Sequence, residues 1–235
     1  MFSMSKIFIP GSTNQLEMLL SFTKLTNKKI LVLGAFSEFI VNSLNKTNNN
    51  VELIVEDYDS LINSKLLLEN QNVSTRLMDY EVTDFSKSEF DLIYAQASIS
   101  DFRRNKIVKE IKRILKPNGI FCVGEITKKE NIVPKFVEDI FETSNINPLN
   151  TNEIAGYYEK RNFKVIAHKD FSTSLSEYYK LGKLKLEDVL GNLSERERSY
   201  HKKLISKIRH HSNAYLKMGG DKFIGFEVLI LEKNN

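Results

Sequence analysis

Lys28-Lys29-Ile30-Leu31-Val32-Leu33-Gly34-Ala35-Phe36-Ser37-Glu38-Phe39-Ile40 reads as a strand, a turn and the start of a helix. Ile30 to Leu33 is an unbroken apolar run, the pattern of a strand covered on both faces. Gly34 breaks the run, and Ser37 opens a helix whose apolar positions are Phe39, Ile40 and Leu44. A strand that stops at glycine and passes straight into a helix offers free backbone N–H groups, and the positive end of the helix dipole, to a ligand.

Outward from this turn, strands and helices alternate. Upstream, Ile7 to Pro10 is an apolar lead-in, and Thr13 or Asn14 can cap a helix from Gln15 to about Thr26. Downstream, Val51–Val55 predicts a second strand ending at Glu56-Asp57, followed by a helix with Leu61, Ile62, Leu66 and Leu68 as its apolar positions. Val73–Leu77 predicts a third strand, stopping at Asp79-Tyr80, and Phe90–Ala95 a fourth. Asn105–Leu115 has apolar residues three to four apart and predicts an amphipathic helix, stopped by Lys116-Pro117-Asn118-Gly119 before a strand over Ile120–Ile126.

Beyond Ile126 the expected elements are a helix over Val133–Phe141, a polar loop, and a helix over Glu153–Arg161 stopped by Asn162. A strand over Phe163–His168 comes next, then one or two helices over Ser172–Met218 broken near Gly182 or Gly191, and a last strand over Phe223–Leu231. The expectation is a Rossmann-like, doubly wound α/β fold: a mostly parallel seven-stranded sheet with helices on both faces. No linker is visible, so one domain spans 1–235. It divides into a lead-in (1–27), a ligand-binding half (28–126) and a C-terminal half (127–235) with a helical insertion at about 172–218.

The totals exclude several classes. A chain of 235 residues can bury a sizeable core, and a net charge of +4 is too mild to imply nucleic acid by itself. A single cysteine, Cys122, rules out an intrachain disulfide and a cysteine-only metal site; in its apolar run it reads as an inert core residue. No apolar run approaches the ~18 residues of a membrane span, and the N-terminus lacks a signal-like core. The expected location is cytoplasmic. No spacing of His, Asp and Glu suggests a metal site or a catalytic triad, and the pair His210-His211 reads as a solvated face.

Taken together, these pieces resemble the class I S-adenosylmethionine-dependent methyltransferases, in particular the small-molecule "type 11" branch. Glu110-Ile111-Lys112-Arg113-Ile114-Leu115-Lys116-Pro117-Asn118-Gly119 is similar to the family's E-x-x-R-x-L-K-P-G-G ahead of its fifth strand, and Phe90-Asp91-Leu92-Ile93-Tyr94 to its F-D-x-V fourth strand. Pro10-Gly11-Ser12 resembles a lead-in of some members. The resemblance implies S-adenosyl-L-methionine as cofactor, lying over the carboxyl ends of the first four strands. The turn Gly34, Ala35, Phe36 and onward to Glu38 would cradle its methionine part. Glu56, with Asp57 as the neighbouring alternative, would accept from the ribose hydroxyls. Asp79 would meet the adenine amino group beside Tyr80. Gln96 or Ser98, in the loop after the fourth strand, would hydrogen-bond a small-molecule acceptor. The resemblance assigns no single catalytic residue, because methyl transfer needs alignment and a deprotonated acceptor more than a fixed catalytic set.

The opening stretch departs from the family pattern of an acidic residue followed by G-x-G-x-G. Val32 stands at the acid, Phe36 at the second glycine and Glu38 at the third. A benzyl group at Phe36 falls where cofactor is expected, and the charge of Glu38 opposes a bound carboxylate. The second expectation is therefore a degenerate methyltransferase-fold protein that no longer binds cofactor and serves as a binding or assembly subunit. The basic segment 194–217, with a stripe of Tyr200, Leu204, Ile208 and Tyr215, is read as a solvated face, as a lid over the acceptor, or as a surface for a protein or RNA partner.

Overall fold

The computed structural model describes residues 8–234, so Ile7 and Asn235 lie outside the described residues. The elements run α1 (Asn14–Phe22), β1 (Lys29–Leu33), α2 (Glu38–Asn45), β2 (Asn50–Val55), α3 (Tyr58–Leu67), β3 (Ser74–Leu77), β4 (Phe90–Gln96), α4 (Arg104–Ile114) and β5 (Leu115–Lys128). The second half continues α5 (Lys135–Thr143), β6 (Leu149–Asn150), α6 (Ile154–Glu159), β7 (Phe163–Asp170), α7 (Leu175–Asn192), α8 (Glu195–Tyr200), α9 (Lys202–Lys217) and β8 (Ile224–Lys233). The sheet order is β3-β2-β1-β4-β5-β8-β7, with β8 antiparallel to both neighbours and the inner strands parallel. This is the expected doubly wound α/β fold. The seven expected strands are present, and the two-residue β6 beside β5 makes an eighth.

The reversal of strand order between β1 and β4 opens a crevice at their carboxyl ends, where such sheets bind ligands. Ile30, Leu31, Val32 and Leu33 are all buried because helices cover both faces of β1. The α4 stripe also forms as its spacing demands. Ile107, Val108, Ile111 and Ile114 are buried, each contributing up to about 1.5–3 kcal/mol. Lys116-Pro117-Asn118-Gly119 is looped out of β5: Leu115 pairs with Phe90 and Ile120 with Leu92, while Asn118 takes φ +56°.

Two local expectations change. On α3, Leu68 is buried but Ile62 and Leu66 are exposed, because α3 packs on β2 and the outermost strand β3, where the sheet ends and leaves one side of the helix uncovered. In the insertion, α7 runs through Gly182 and ends just past Gly191, as the second alternative expected, and a capping box between Ser194 and Glu197 starts α8, so with α9 the insertion holds three helices and not one or two. One glycine costs a helix only about 1 kcal/mol, which tertiary packing overrides. At Gly182 the missing side chain makes room for Phe8, whose ring would lie 3.3 Å from an added Cβ. No helix among the described residues is long and apolar enough to cross a membrane.

Candidate functional site

The turn after β1 keeps a positive φ at its one glycine, Gly34, and at Phe36, which stands at the second glycine position. Gly34 has φ +124°, and its N–H donates to the carbonyl of Ile54 at 3.1 Å. A Cβ built there would sit 2.8 Å from Cβ of Ser98, so the β4 loop closes against this residue. Phe36 adopts φ +61°, a left-handed conformation that costs a non-glycine residue about 1–2 kcal/mol. Its ring is 63% exposed and meets Phe8 edge-on, with centroids 6.3 Å apart. Phe8 in turn stacks on Tyr178 of α7. The benzyl group expected in the cofactor's place thus points instead toward the helical insertion. Glu38, the other departure, accepts from the Ser64 hydroxyl of α3.

Two hydroxyls beside Gly34 lack partners. Oγ of Ser37 and Oγ of Ser98 are buried without a hydrogen bond among the described residues, and both lie within 4 Å of the Cβ position of Gly34. Orphaned buried hydroxyls are uncommon, and they mark where a polar ligand group would be satisfied.

The predicted ribose and adenine residues separate into different roles. Glu56 sits at the end of β2 and accepts from the Tyr80 N–H at 3.1 Å. It also takes a two-pronged contact from Arg103, whose Nη1 and Nη2 donate at 2.8 and 2.7 Å. Arg103 is held from behind by Asp101, with Nε donating at 2.9 Å, and has Asp79 and Glu81 within 4.0 Å. One guanidinium therefore has four carboxylates within 4.0 Å at the sheet's carboxyl edge, of which Glu81 also pairs with Lys106. Asp57 is the N-cap of α3, accepting from the Ser60 N–H at 2.8 Å; the Ser60 side chain first, and then its N–H, hold the Asp57 pKa below the ordinary carboxylate value. Asp79 is exposed and accepts from the Glu81 N–H at 2.8 Å. The Tyr80 side chain is buried, its hydroxyl donating to the Ile54 carbonyl, so only its backbone faces the crevice.

Gln96 is committed elsewhere. Its amide donates to the carbonyls of Pro10 and Ser12 at 2.6 and 3.0 Å, and its oxygen accepts from the Tyr94 hydroxyl. It pins the N-terminal segment to the sheet and has no donor left for an acceptor molecule. The pinning matters because that segment carries Phe8 to the insertion.

Between Phe8, Phe36 and the helices α7 and α9 lies a cavity of about 680 Å³. The basic segment is part of its wall. Ile205 and Tyr215 are buried, whereas Tyr200 is 85% exposed and Leu204 half exposed, so the predicted stripe is shifted around the helix. His211, expected on a solvated face, lines the cavity, and its Nε2 is 2.8 Å from Oγ1 of Thr143. Thr143 gives its proton to the Asp139 carbonyl, so Nε2–H of His211 donates and Nδ1 keeps the lone pair. Burial, with Lys207 and His210 nearby, lowers its pKa to about 4, so the ring is neutral at pH 7.

Arg103 and Phe8 escaped the sequence reading, whereas His211 reads in it as part of a solvated face. Arg103-Arg104 gives only a pair of basic residues before a helix. Phe8 and His211 reach the site through long-range pairings, Phe8 with Tyr178 and His211 with Thr143.

Residues 32–123 match the family model described as a methyltransferase domain. No curated protein matches the sequence. Among solved structures, phosphoethanolamine N-methyltransferase 2 of Haemonchus contortus, in complex with phosphomonomethylethanolamine and S-adenosylhomocysteine, superposes with TM-score 0.79 at 15% identity. The match covers 98% of this chain and 55% of that one. Geranyl diphosphate C-methyltransferase of Streptomyces coelicolor A3(2), in complex with Mg2+, geranyl diphosphate and S-adenosyl-L-homocysteine, gives TM-score 0.72 at 14% identity, covering 94% of this chain and 77% of that one. The [4+2]-cyclase SpnF gives 0.73 at 14% identity, covering 95% and 81%. One fold thus serves several chemistries, and the site must decide between them. The chain has the fold of the class I methyltransferases, and the family match falls on residues 32–123, the half that carries the crevice at the carboxyl ends of β1 and β4.

Proposed function

We propose that this protein transfers a methyl group from S-adenosyl-L-methionine to a small-molecule acceptor. The observation that carries the reading is the turn itself: Gly34 and Phe36 keep positive φ while the Phe36 ring stands clear, toward Phe8. A strained backbone at a bulky residue persists only where its surroundings enforce it, and such strain clusters at ligand sites. The backbone of Gly34 to Phe36 and the hydroxyls of Ser37 and Ser98 would hold the methionine end. Glu56 would hold the ribose diol, and Asp79 with the Tyr80 backbone would flank the adenine. Bound there, the cofactor supplies an electrophilic methyl group on a positively charged sulfur. The acceptor would lie in the cavity behind Phe36, walled by α7 and α9. His211, neutral at pH 7, offers the acceptor a hydrogen-bond partner and not a strong base, because its pKa is lowered to about 4.

Titration with S-adenosylmethionine or S-adenosylhomocysteine tests this directly. At a hundred times its dissociation constant, a ligand of the native state adds about 2.7 kcal/mol of stability, a rise in Tm of roughly 5–10 °C for a chain of this size. No rise at millimolar concentration of either ligand would sink the reading. It would favour the second one, a cofactor-free binding subunit, for which the Arg103 contact to Glu56 is the specific support.

The same contact yields a separate expectation. Arg103 must release Glu56 before a diol can bind, and Arg103→Ala removes that competition. The pair is partly exposed, with side chains 38% and 26% accessible, so water screens it and its worth is of order 1 kcal/mol. Arg103→Ala should tighten cofactor binding about fivefold by calorimetry. S-adenosylmethionine should gain more than S-adenosylhomocysteine, because Glu56, Asp79 and Asp101 lose the cation beside them and the sulfonium charge replaces it.

A further inference from the structure

The cavity behind Phe36 carries a chemical signature of its own. Its apolar walls are the rings of Phe8, Phe36, Tyr178 and Tyr179 with Leu186 and Ile205. Among the described residues its only ionisable groups besides tyrosine are basic: Lys185, Lys207, His201 and His211 line it, and no Asp or Glu does. Lys185 is exposed, has its Nζ 4.7 Å from the Phe8 ring centroid, and has no carboxylate within ion-pair distance among the described residues. Lys207 donates to the Thr143 carbonyl at 2.6 Å, a neutral partner that leaves its charge uncompensated. An apolar chamber with unpaired cations complements one class of molecule.

We infer that the acceptor is an amphipathic anion, with a hydrocarbon body held among the rings beside Phe36 and a carboxylate or phosphate facing Lys185 and Lys207. This deepens the methyl-transfer reading and rests on it for the word acceptor; the ligand class rests on the cavity alone. At about 680 Å³ the chamber is of the size that encloses a drug-sized molecule, and Phe36 joins it directly to the turn after β1. The left-handed Phe36 then has a purpose that glycine could not serve, since it supplies an apolar wall on the side of the chamber nearest the turn. A neutral molecule of the same shape would gain the ring contacts but leave both cations without a partner. A cationic one would be repelled.

Calorimetric titration of the full chain with dodecanoate, dodecyl phosphate, dodecan-1-ol and dodecylammonium, all below their micellar concentrations, reads the class. One or both anions should bind at least about tenfold more tightly than the alcohol, and the ammonium least; which anion wins identifies the headgroup. Lys185→Glu, at an exposed and unpaired position, should cost the preferred anion about tenfold and leave the alcohol unchanged. Lys207→Met provides a second reading if the first variant changes little. Equal binding of anion and alcohol, no binding of any probe, or insensitivity of anion binding to both variants overturns the inference. Cofactor titration is scored separately. Loss of cofactor binding with anion binding intact would remove the methyl-transfer reading and keep the ligand class, whereas the converse would do the opposite.

Discussion

Arg104→Met is expected to lower the stability of the fold by about 3–5 kcal/mol, the largest effect of any single substitution considered. Arg104 and Glu125 are 4% and 0% exposed, and Nε of Arg104 donates to Glu125 at 2.6 Å. The Tyr158 hydroxyl also donates to this carboxylate, and Nη2 of Arg104 reaches the Asn147 carbonyl at 2.6 Å. Methionine preserves much of the volume but strands a carboxylate in the core. The pH dependence separates this cause from lost packing. Burial already raises the pKa of Glu125 above the ordinary 4.5, opposed by Arg104 and Tyr158, and the substitution removes the larger of those two opposing groups. A carboxyl whose folded pKa is raised destabilises the fold once pH passes its unfolded value, and the penalty grows until pH reaches the folded value. The deficit should therefore be largest near pH 8 and shrink as pH falls toward 4, measured by urea unfolding across that range. Adding Glu125→Leu to the same chain should recover most of the loss. A deficit independent of pH would assign the effect to packing.

Gly34→Val should remove both stability and cofactor binding. The residue holds φ +124°, where L side chains are strained at about 1–3 kcal/mol, and a Cβ would press to 2.8 Å from Cβ of Ser98. Relief requires the turn or the β4 loop to move, and either shift displaces the Ser37 and Ser98 hydroxyls. A stability loss of roughly 2–4 kcal/mol is expected. At a temperature where circular dichroism shows the variant folded, no cofactor-induced rise in Tm should remain. Cofactor binding that survives in a folded Gly34→Val variant would contradict the assignment of the turn. Phe36 differs in kind, since its ring already points away from the turn.

The apolar run Ile30–Leu33, the α4 stripe and the Pro117-Asn118-Gly119 stop were legible because burial on a strand or helix imposes a period that survives in one dimension. Glu56 and Asp79 were legible as carboxylates at strand ends, a position set by local order alone. Their present engagement was not. Arg103 is 47 residues from Glu56, and only the parallel packing of β4 beside β1 brings its guanidinium to that carboxylate. Asp57 and Glu56 are adjacent in sequence, yet one caps a helix and the other faces the crevice, a choice made by backbone direction.

By itself the sequence determined the doubly wound sheet and the location of its ligand-binding edge, since hydrophobic periodicity and glycine placement act over a few residues. Only the tertiary structure decided where Phe36 points. Its ring meets Phe8, whose segment Gln96 holds through Pro10 and Ser12, and Phe8 stacks on Tyr178, more than 140 residues from Phe36. The residue that reads in sequence as an obstruction of the cofactor turn is, in the fold, a wall of the neighbouring cavity. Long-range packing sets side-chain direction, and no local pattern encodes it.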